Sequence, residues 1–426
     1  MHFMNELKWR GLISDNTPNV EGILSNEKVS AYIGFDPTSK SLHVGNLLPI
    51  MGLVRLQKAG HTPIALVGGG TGLIGDPSGK SSERSILSKD AILNNLHSIH
   101  SQLEKFLDFK SNNNPARIIN NADWLTKINL TDFLRDIGKH FTINYMMKKE
   151  SVKSRLTRET GISFTEFSYM TLQAYDFYHL HKEYNCKLQM GGSDQLGNIL
   201  AGVDLINRMN PGKAGPLAHG IVFPLVTSSS GEKFGKSIGQ APTLDPEKTS
   251  PYKLYQFFLN TSDNDVIDYL KYFTMLDEKI INDLGESKKN NPKDRIPQKK
   301  LAEELVKIVH GVSGLSDAIR ITNCFFNNKI SDLTIDEIDD SMGGFPTKEI
   351  SAKLLGSELS IGKLLVEQNI FNSMGEARRM SEQGGLSVNG EKIKDIKKSL
   401  NITHTINNRL MVIKKGSKEF YLIKLI

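Results

Sequence analysis

VSAYIGF at residues 29–35, HVGN at 43–46 and LLPIMGLVRLQKA at 47–59 are the three pieces of sequence that decide the fold of this chain. The first is an apolar run typical of a buried strand, and the third has helical spacing of its apolar residues. A strand, a tight loop and a helix N-terminus form an anion site, because unpaired backbone N–H groups and the helix dipole point to the loop. His43 and Asn46 can donate hydrogen bonds to the same phosphate oxygens. The alternative is a helix cap beside a surface histidine.

A second motif, KFGKS at 233–237, lies in a polar, glycine-containing loop that follows an apolar strand predicted over Ile221 to Val226. Lys233 and Lys236 carry flexible ammonium groups that can follow the charge of a phosphate as it shifts in a transition state. Taken alone, this motif also fits a plain surface loop. Together with HVGN, it predicts an ATP site.

Residues 29–225 alternate between apolar strands and helical segments, which predicts an α/β fold with a Rossmann-like, doubly wound parallel sheet. A strand over 63–67 runs into the glycine-rich turn GGGTGLIGD at 68–76. Ligands bind at the carboxyl edge of such sheets, so Asp76 is expected at the ligand edge. We interpret the glycines as a close approach of the backbone to a small ligand.

Two further segments carry candidate ligand-binding residues. In the segment 164–176, Tyr169, Gln173 and Asp176 recur at helical spacing and form one polar stripe on an otherwise apolar helix. This stripe faces either a small polar ligand or solvent. The loop GGSDQLGN at 191–198 again follows a strand, and the carboxylate of an aspartate there can accept hydrogen bonds from ribose hydroxyls.

The distribution of charge predicts a polyanionic partner. The 426-residue chain is long enough for two or three domains and has a net charge of +6. The whole excess lies in the segment 359–426, with 12 basic against 6 acidic residues, because 53 − 12 and 47 − 6 leave 41 of each before it. A basic terminal module on a neutral body favours contacts with phosphates, although a merely solvated basic face is the alternative.

The apolar runs, the first residues and the two cysteines indicate the cellular compartment in which the protein is expected. No apolar run approaches the roughly 18 residues that span a bilayer, and the first residues lack a hydrophobic signal core. We therefore expect a soluble, cytoplasmic protein with no membrane contact. Cys186 and Cys324 lie far apart without metal-ligand spacing, so we expect reduced cysteines and no cysteine metal site.

Changes of composition along the chain predict its domains. Residues 116–160 form an insertion rich in aromatic and methionine side chains, which is either a dimer contact or a helical part of the core. The predicted segments are a catalytic domain over 1–225, the lysine loop with an α-helical domain over 226–326, a linker over 327–358 and a small basic domain over 359–426.

The motifs resemble those of the bacterial tyrosyl-tRNA synthetases, a family of class I aminoacyl-tRNA synthetases, over essentially the whole chain. The segment 359–426 is similar to an S4-type RNA-binding module of α+β fold, with IGKLL at 361–365 and ARRM at 377–380. The resemblance in the catalytic part rests on four stretches, AYIGFDPT at 31–38, GDPSGK at 75–80, GISFTEFSY at 161–169 and GGSDQ at 191–195.

The resemblance implies a tyrosine pocket. Rejection of phenylalanine would then rest on a buried polar pair at the phenol, because a ligand without the hydroxyl leaves those groups unpaired. The implied contacts are Tyr32 and Asp176 with the phenol, Asp76, Tyr169 and Gln173 with the ammonium group, and Gln195 near the carboxylate.

The resemblance also implies an ATP site. The implied contacts are His43 and Asn46 with the phosphates and Gly45 between them, Gly192 and Asp194 with the ribose, Lys233 and Lys236 with the departing pyrophosphate, and Asp36, Thr38, Lys80 and Arg84 on loops over the nucleotide. Magnesium is expected to enter with ATP and pyrophosphate, without a dedicated protein metal site.

The implied reaction joins L-tyrosine to ATP and then transfers the tyrosyl group to the terminal adenosine of tRNA(Tyr), in a homodimeric enzyme. Two alternatives stay open. A tryptophanyl-tRNA synthetase shares the fold and the reaction, although the pair Tyr32 and Asp176 suits a phenol better than an indole. A structured-RNA-binding protein with a secondary ATP site would also explain the basic tail.

Overall fold

The structure, a computed structural model, divides into two compact units. The first comprises Met1–Thr249 and Phe257–Val309, and the second comprises Ser250–Gln256 and His310–Ile426. The residues that the structure describes are 2–37, 39–78, 88–149, 152–153, 156, 161–213, 215–231, 234, 241–354, 359–399, 401–416 and 419–426.

The first unit contains a six-stranded sheet. Its strands are β1 (Asp15–Asn16), β2 (Ser30–Phe35), β3 (Thr62–Val67), β4 (Arg117–Asn120), β5 (Cys186–Gly192) and β6 (His219–Phe223). The strand order is β1-β6-β5-β2-β3-β4, and only the pairing of β1 with β6 is antiparallel. The chain winds outward from β2 in one direction and from β5 in the other. This topology confirms the doubly wound sheet, with its switch point between β2 and β5.

Helices connect the strands and continue beyond them. The helix over Ile296–Phe326 is interrupted at Gly311, whose φ is 75°. Glycine adopts this conformation without strain, whereas other residues rarely do. Up to residue 326 the helices of the described chain are α1 (Phe3–Trp9), α2 (Val20–Asn26), α3 (Leu47–Lys58), α4 (Lys89–Leu103), α5 (Ala122–Leu125), α6 (Leu130–Asp136), α7 (Ile143–Met147), α8 (Phe164–Tyr184), α9 (Leu196–Met209), α10 (Pro251–Leu259), α11 (Val266–Phe273), α12 (Glu278–Asn290) and α13 (Ile296–Phe326).

The predicted strand and helix on either side of HVGN are present almost as expected. The strand begins at Ser30, and the helix ends at Lys58 before Gly60. The strand predicted over Ile221 to Val226 lies earlier in the chain than expected: β6 covers His219–Phe223. Pro224 follows this strand and has no N–H group to donate to a neighbouring strand, which explains why the ladder stops there.

The insertion predicted over 116–160 is mostly helical in its described part. Phe133 and Met146 are buried and pack with Met170 of α8 and Leu205 of α9, so one face of the insertion belongs to the core of the first unit. Other apolar side chains of the same helices are exposed. The insertion therefore presents a second, uncovered apolar face.

The second unit has its own five-stranded sheet. Its elements are α14 (Ile335–Ser341), β7 (Thr347–Ile350), α15 (Ile361–Glu367), α16 (Met374–Glu382), β8 (Leu386–Val388), β9 (Glu391–Lys392), β10 (Leu410–Lys415) and β11 (Glu419–Leu425). The strand order is β7-β11-β10-β8-β9. A core that includes Ile361, Leu364 and Phe371 packs with the sheet residues Met411 and Ile423. This arrangement confirms a small C-terminal α+β domain.

The stretch 327–358, for which we predicted a linker, contains regular structure in its described part. It includes α14, and its strand β7 pairs in parallel with β11 at the edge of the sheet. Lys424 of β11 forms an ion pair of 2.8 Å with Asp339 of α14. Thr347 and Glu349 of β7 are exposed at this edge of the sheet, which accounts for part of the polar composition of the stretch. Among the described residues, no helix is long and apolar enough to cross a membrane.

Candidate active site

A cavity of about 470 Å³ opens at the carboxyl ends of β2, β3, β5 and β6. The sheet changes winding direction there, which is where ligands bind in folds of this type. Thr38, Lys80, Arg84, Lys233 and Lys236 lie outside the described residues. The other predicted site residues all line this cavity: Tyr32, Asp36, His43, Gly45, Asn46, Asp76, Tyr169, Gln173, Asp176, Gly192, Asp194 and Gln195.

At one end of the cavity, the Asp176 carboxylate is fixed by two donors. Trp124 Nε1 donates to Asp176 Oδ1 at 2.7 Å, and Asn121 Nδ2 donates to Asp176 Oδ2 at 2.8 Å. Burial raises the pKa of Asp176 to about 8, although both hydrogen bonds favour its charged form. The carboxylate is therefore held in one orientation in a site that penalises its charge.

Asn121 and Trp124 were not predicted as site residues. The Asn121 amide also donates to Thr71 Oγ1 at 2.9 Å and accepts from the backbone N–H of Gly70 at 2.7 Å, so it joins the glycine-rich turn to Asp176. The sequence did contain one signal, because Asn121 follows β4 at the same carboxyl edge as the other candidates. The role of Trp124 had no such signal, since its indole reaches the carboxylate through packing against His179.

Tyr32 brings a buried hydroxyl to the same end of the cavity. Its side chain is fully buried, and within the described part of the chain its hydroxyl has no hydrogen-bond partner. The Oε1 atom of Gln189, on the neighbouring strand, is also buried and unpaired among these residues. Buried polar atoms are normally paired, so these two atoms indicate a place where a polar ligand group completes the network.

A second polar network lies on the side of Asp76. Gln195 Nε2 donates to Asp76 Oδ2 at 2.8 Å, and the backbone N–H of Ser78 donates to Asp76 Oδ1 at 2.8 Å. Gln173 Nε2 approaches Gln195 Oε1 at 3.3 Å. Burial raises the pKa of Tyr169 well above its usual value, and the negative charges of Asp36 and Asp76 act in the same direction. This concentration of carboxylates favours a cationic group in the ligand.

The HVGN loop is held by hydrogen bonds of its own. His43 Nδ1 accepts from the backbone N–H of Gly45 at 3.0 Å, and Asn46 Oδ1 accepts from the backbone N–H of His43 at 3.0 Å. The ring proton of His43 is therefore on Nε2, and Asn46 presents its Nδ2 amide as the donor end. A side chain at Gly45 would place Cβ 2.6 Å from His43 Cε1, so this geometry requires glycine.

The two motifs meet at the cavity. Phe234, the described residue of KFGKS, lines the cavity, and its ring contacts Phe273 and Tyr269 with centroid distances of 4.8 Å each. Its carbonyl oxygen would lie 3.7 Å from a Cβ added at Gly45. The backbone N–H of Val44 also donates to the Pro242 carbonyl at 3.0 Å. HVGN is thus packed against Phe234, inside the lysine motif, and against Pro242, which follows that motif.

Gly192 and Asp194 lie at the end of β5. A Cβ at Gly192 would come within 2.6 Å of Asp194 Oδ1, so glycine lets this carboxylate lie close to the strand end. Gly34 is exposed to the cavity, and a Cβ there would have nothing within 4 Å, which shows open space above β2.

Among the described residues, no group of three or more His, Cys, Asp or Glu side chains could hold a metal ion.

Comparisons with known protein families agree with this geometry. Residues 24–327 match the family described as tRNA synthetases class I (W and Y). Residues 337–423 match the family described as the tyrosine–tRNA ligase SYY-like C-terminal domain. The two matches together leave few residues of the chain outside a recognised family.

Individual proteins show the same similarity. The chain is 49% identical to a tyrosine–tRNA ligase of Bacillus caldotenax over 426 residues, which is 100% of each chain. It is 46% identical to tyrosine–tRNA ligase 1 of Bacillus subtilis over 425 residues, or 99% of each chain. The crystal structure of a C-terminally truncated mitochondrial tyrosyl-tRNA synthetase from Aspergillus nidulans matches with a TM-score of 0.69 and 33% identity, over 76% of this chain and 94% of the other.

Proposed function

Since the chain belongs to the class I tRNA synthetases of the tyrosine and tryptophan family and acts as a tyrosine–tRNA ligase, we propose that its 470 Å³ cavity is where tyrosine and ATP form tyrosyl-adenylate. The observation that carries the proposal is the buried pair of Tyr32 and Asp176. A hydroxyl with no partner among the described residues and a fixed carboxylate, at one end of a cavity, are the partners that a phenol requires. An indole offers one N–H donor and no hydroxyl, so the pair fits a tryptophan side chain less well.

Tyrosine binds along the cavity with its phenol at this pair. The phenol hydroxyl donates to Asp176 and accepts from the hydroxyl of Tyr32, which has no partner within the described part of the chain. The ammonium group lies against Asp76, Tyr169 and Gln173, where carboxylates favour positive charge. Tyrosyl-tRNA synthetases are the established example of the resulting selectivity, with a discrimination of about 10⁵ against phenylalanine, because phenylalanine leaves such buried groups unpaired.

ATP binds on the side of the HVGN loop. His43 Nε2 and Asn46 Nδ2 donate to phosphate oxygens, and Gly192 and Asp194 hold the ribose. Lys233 and Lys236, with Thr38, Lys80 and Arg84, lie outside the described residues, and their roles are proposed from the family resemblance. Asp36 and Gly45 complete the nucleotide side of the cavity. The packing of Phe234 beside Gly45 supports the placement of the lysine motif at the phosphates.

The chemistry requires positioning and charge stabilisation. The carboxylate of tyrosine is ionised at neutral pH and attacks the α-phosphorus of ATP without a general base. A new bond forms between the carboxylate oxygen and phosphorus, and the bond to pyrophosphate breaks. Charge on the phosphate oxygens is met by His43, Asn46 and the lysines. Magnesium would enter with ATP and neutralise part of the pyrophosphate charge.

A ribose hydroxyl of the 3′-terminal adenosine of tRNA(Tyr) then attacks the tyrosyl carbonyl carbon. An ester bond to the ribose forms, the bond to the adenylate phosphate breaks, AMP leaves and the hydroxyl proton is released. We propose that the basic C-terminal unit contacts the tRNA backbone through exposed arginines such as Arg378 and Arg379. Replacing both by glutamate should reduce tRNA charging and leave tyrosine activation intact. Lys289→Glu, an exposed charge reversal on α12, is the control.

Since charging of tRNA serves protein synthesis, the proposed compartment is the cytoplasm.

The exposed apolar face of the insertion supports a homodimer. Leu130 is 69% exposed, Ile143 59% and Phe164 78%, and all three lie on helices around the insertion. A second copy of the chain would remove this surface from water. Light scattering should give the mass of two chains, and Ile143→Asp should shift it towards one. A single-chain mass for the unmodified protein would contradict the homodimer.

The main test is amino-acid-dependent exchange of pyrophosphate into ATP, compared for tyrosine, phenylalanine and tryptophan. Exchange with tyrosine alone is expected. Exchange driven by tryptophan would overturn the pocket assignment. No exchange with any of the three, in a folded sample, would favour an RNA-binding protein with a secondary ATP site.

A further inference from the structure

Asn198 is a buried polar residue whose contacts the reaction scheme above does not use. It lies in the first turn of α9 and is only 6% exposed. Its Nδ2 atom lies 2.9 Å from Gln173 Oε1 and 3.2 Å from Gln195 Oε1, with a longer contact of 3.3 Å to Ser78 Oγ. One NH₂ group therefore faces the carbonyl oxygens of both glutamines that line the cavity.

These contacts decide which way the two glutamine amides point. An amide can present either its oxygen or its NH₂ group to a neighbour, and its partners determine the choice. Because Asn198 donates to both Oε1 atoms, Gln195 directs its Nε2 to Asp76 Oδ2 at 2.8 Å. A reversed Gln195 would place its oxygen against that carboxylate, and two acceptors facing each other repel.

We propose that Asn198 is a positioning residue that fixes the amide orientations of Gln173 and Gln195 and so holds the ammonium and carboxylate groups of the amino acid. The inference rests on the proposed tyrosine pocket. In this orientation, Gln195 Nε2 is a donor suited to the substrate carboxylate, and the second lone pair of Gln173 Oε1 is an acceptor suited to the ammonium group. Asn198 acts on the substrate only through these two side chains.

The test compares two ligands in Asn198→Ala and Asn198→Asp. The aspartate has the shape of asparagine but lacks the NH₂ donors, so it cannot hold both Oε1 atoms. L-Tyrosine carries the phenol, the ammonium group and the carboxylate, whereas 4-ethylphenol carries only the phenol. We expect both variants to bind tyrosine about tenfold more weakly, with the dissociation constant of 4-ethylphenol unchanged.

Asn207→Ala is the matched control, because Asn207 is an exposed asparagine of the same helix whose side chain accepts from the backbone of Leu217. It should leave both dissociation constants as they are. If Asn198→Ala does not fold, the isosteric Asn198→Asp tests the positioning role through the same comparison of the dissociation constants of L-tyrosine and 4-ethylphenol.

The outcomes separate this inference from the proposed function. If the unmodified protein fails to bind tyrosine, the proposed pocket itself is wrong. If the unmodified protein binds tyrosine and the Asn198 variants bind it equally well, only the positioning role is overturned. Equal weakening of tyrosine and 4-ethylphenol would also overturn it, because a general loss of structure affects both ends of the cavity.

Discussion

Trp124 and Asp176 are joined by a hydrogen bond of 2.7 Å from the indole Nε1 to the carboxylate Oδ1, across 52 residues of sequence. The indole is stacked on His179 with ring centroids 4.1 Å apart, which fixes the direction of its N–H group. With Asn121 on the other oxygen, the carboxylate is oriented without any ligand. In the proposed tyrosine pocket, this preorganisation means that the ligand does not bear the cost of ordering Asp176 when it binds.

Trp124→Phe should weaken tyrosine binding, because it removes the donor to Asp176 and keeps most of the aromatic packing. A hydrogen bond to a charged group contributes about 1.5–3 kcal/mol, so the dissociation constant should rise at least tenfold. Preference for tyrosine over phenylalanine in pyrophosphate exchange should also fall. Trp9→Phe is the control, since it removes an indole hydrogen bond to Glu6 far along the chain from this pocket. An unaltered preference in Trp124→Phe would contradict the role of Trp124.

Tyr32→Phe should separate stability from function. It removes a buried hydroxyl that has no partner among the described residues, so the free energy of unfolding without ligand should rise by about 1 kcal/mol. Tyrosine binding and the preference over phenylalanine should both decrease. Thermal unfolding and exchange kinetics measure the two effects. In Tyr145→Phe, which loses a hydroxyl bonded to Asp204 at 3.1 Å, stability should fall instead. A lower stability in Tyr32→Phe would show that its hydroxyl is already paired.

Tyrosine binding should become tighter as pH rises from 6 to 8. Burial raises the pKa of Asp176 to about 8 in the free protein, so below that pH the carboxyl group is mostly protonated and binding of the phenol donor must release the proton. The same raised pKa makes the stability of the fold depend on pH. The contribution of Asp176 to the free energy of unfolding is fully present below the pKa of this residue in the unfolded chain, and it is lost as pH rises through about 8. Calorimetry in buffers of different ionisation enthalpy measures the released proton. Asp176→Asn should remove both the release and the pH dependence, and a pH-independent affinity in the unmodified protein would count against a raised pKa.

Gly45→Ala should slow adenylate formation and leave tyrosine binding nearly unchanged. The added Cβ would lie 2.6 Å from His43 Cε1, so the ring must rotate away from its hydrogen bond with the Gly45 N–H. We expect a loss of roughly a hundredfold in the rate, the order of magnitude for one lost transition-state donor. Gly22→Ala, on α2 with nothing within 4 Å of the new Cβ, is the matched control. A normal rate in Gly45→Ala would remove His43 from the phosphate site.

Phe234→Leu should also affect the rate more than tyrosine binding. Its ring packs on Phe273 and Tyr269, and the two lysines of the motif are one and two residues away along the chain. Consecutive Cα atoms are about 3.8 Å apart, so a less firmly packed residue 234 loosens the position of both lysines. Single-turnover kinetics should show slower adenylate formation. Phe326→Leu, at a phenylalanine that is 80% exposed, is the control, and equal rates in the two variants would contradict the proposal.

Much of the fold, and the grouping of the described candidate site residues around one cavity, could be predicted from sequence. The strand before HVGN, the helix after it and the polar stripe of Tyr169, Gln173 and Asp176 are all present. These predictions worked because apolar spacing and strand-end glycines are local properties of the chain. Two predictions differ from the structure because the conformation there depends on neighbouring residues. Pro224 ends β6 at Phe223, and within the stretch 327–358 the strand β7 is ordered by its pairing with β11.

The sequence by itself determined the doubly wound sheet, the two motifs and most of the described polar side chains that line the cavity at the carboxyl edge. Tertiary structure alone decided the hydrogen-bond partners of those side chains. The donors to Asp176, the surroundings of the buried Tyr32 hydroxyl and the amide directions set by Asn198 all depend on distances between residues that are far apart in sequence. The physical reason is that spacing along a chain fixes the face on which a residue lies, whereas only packing fixes which donor meets which acceptor.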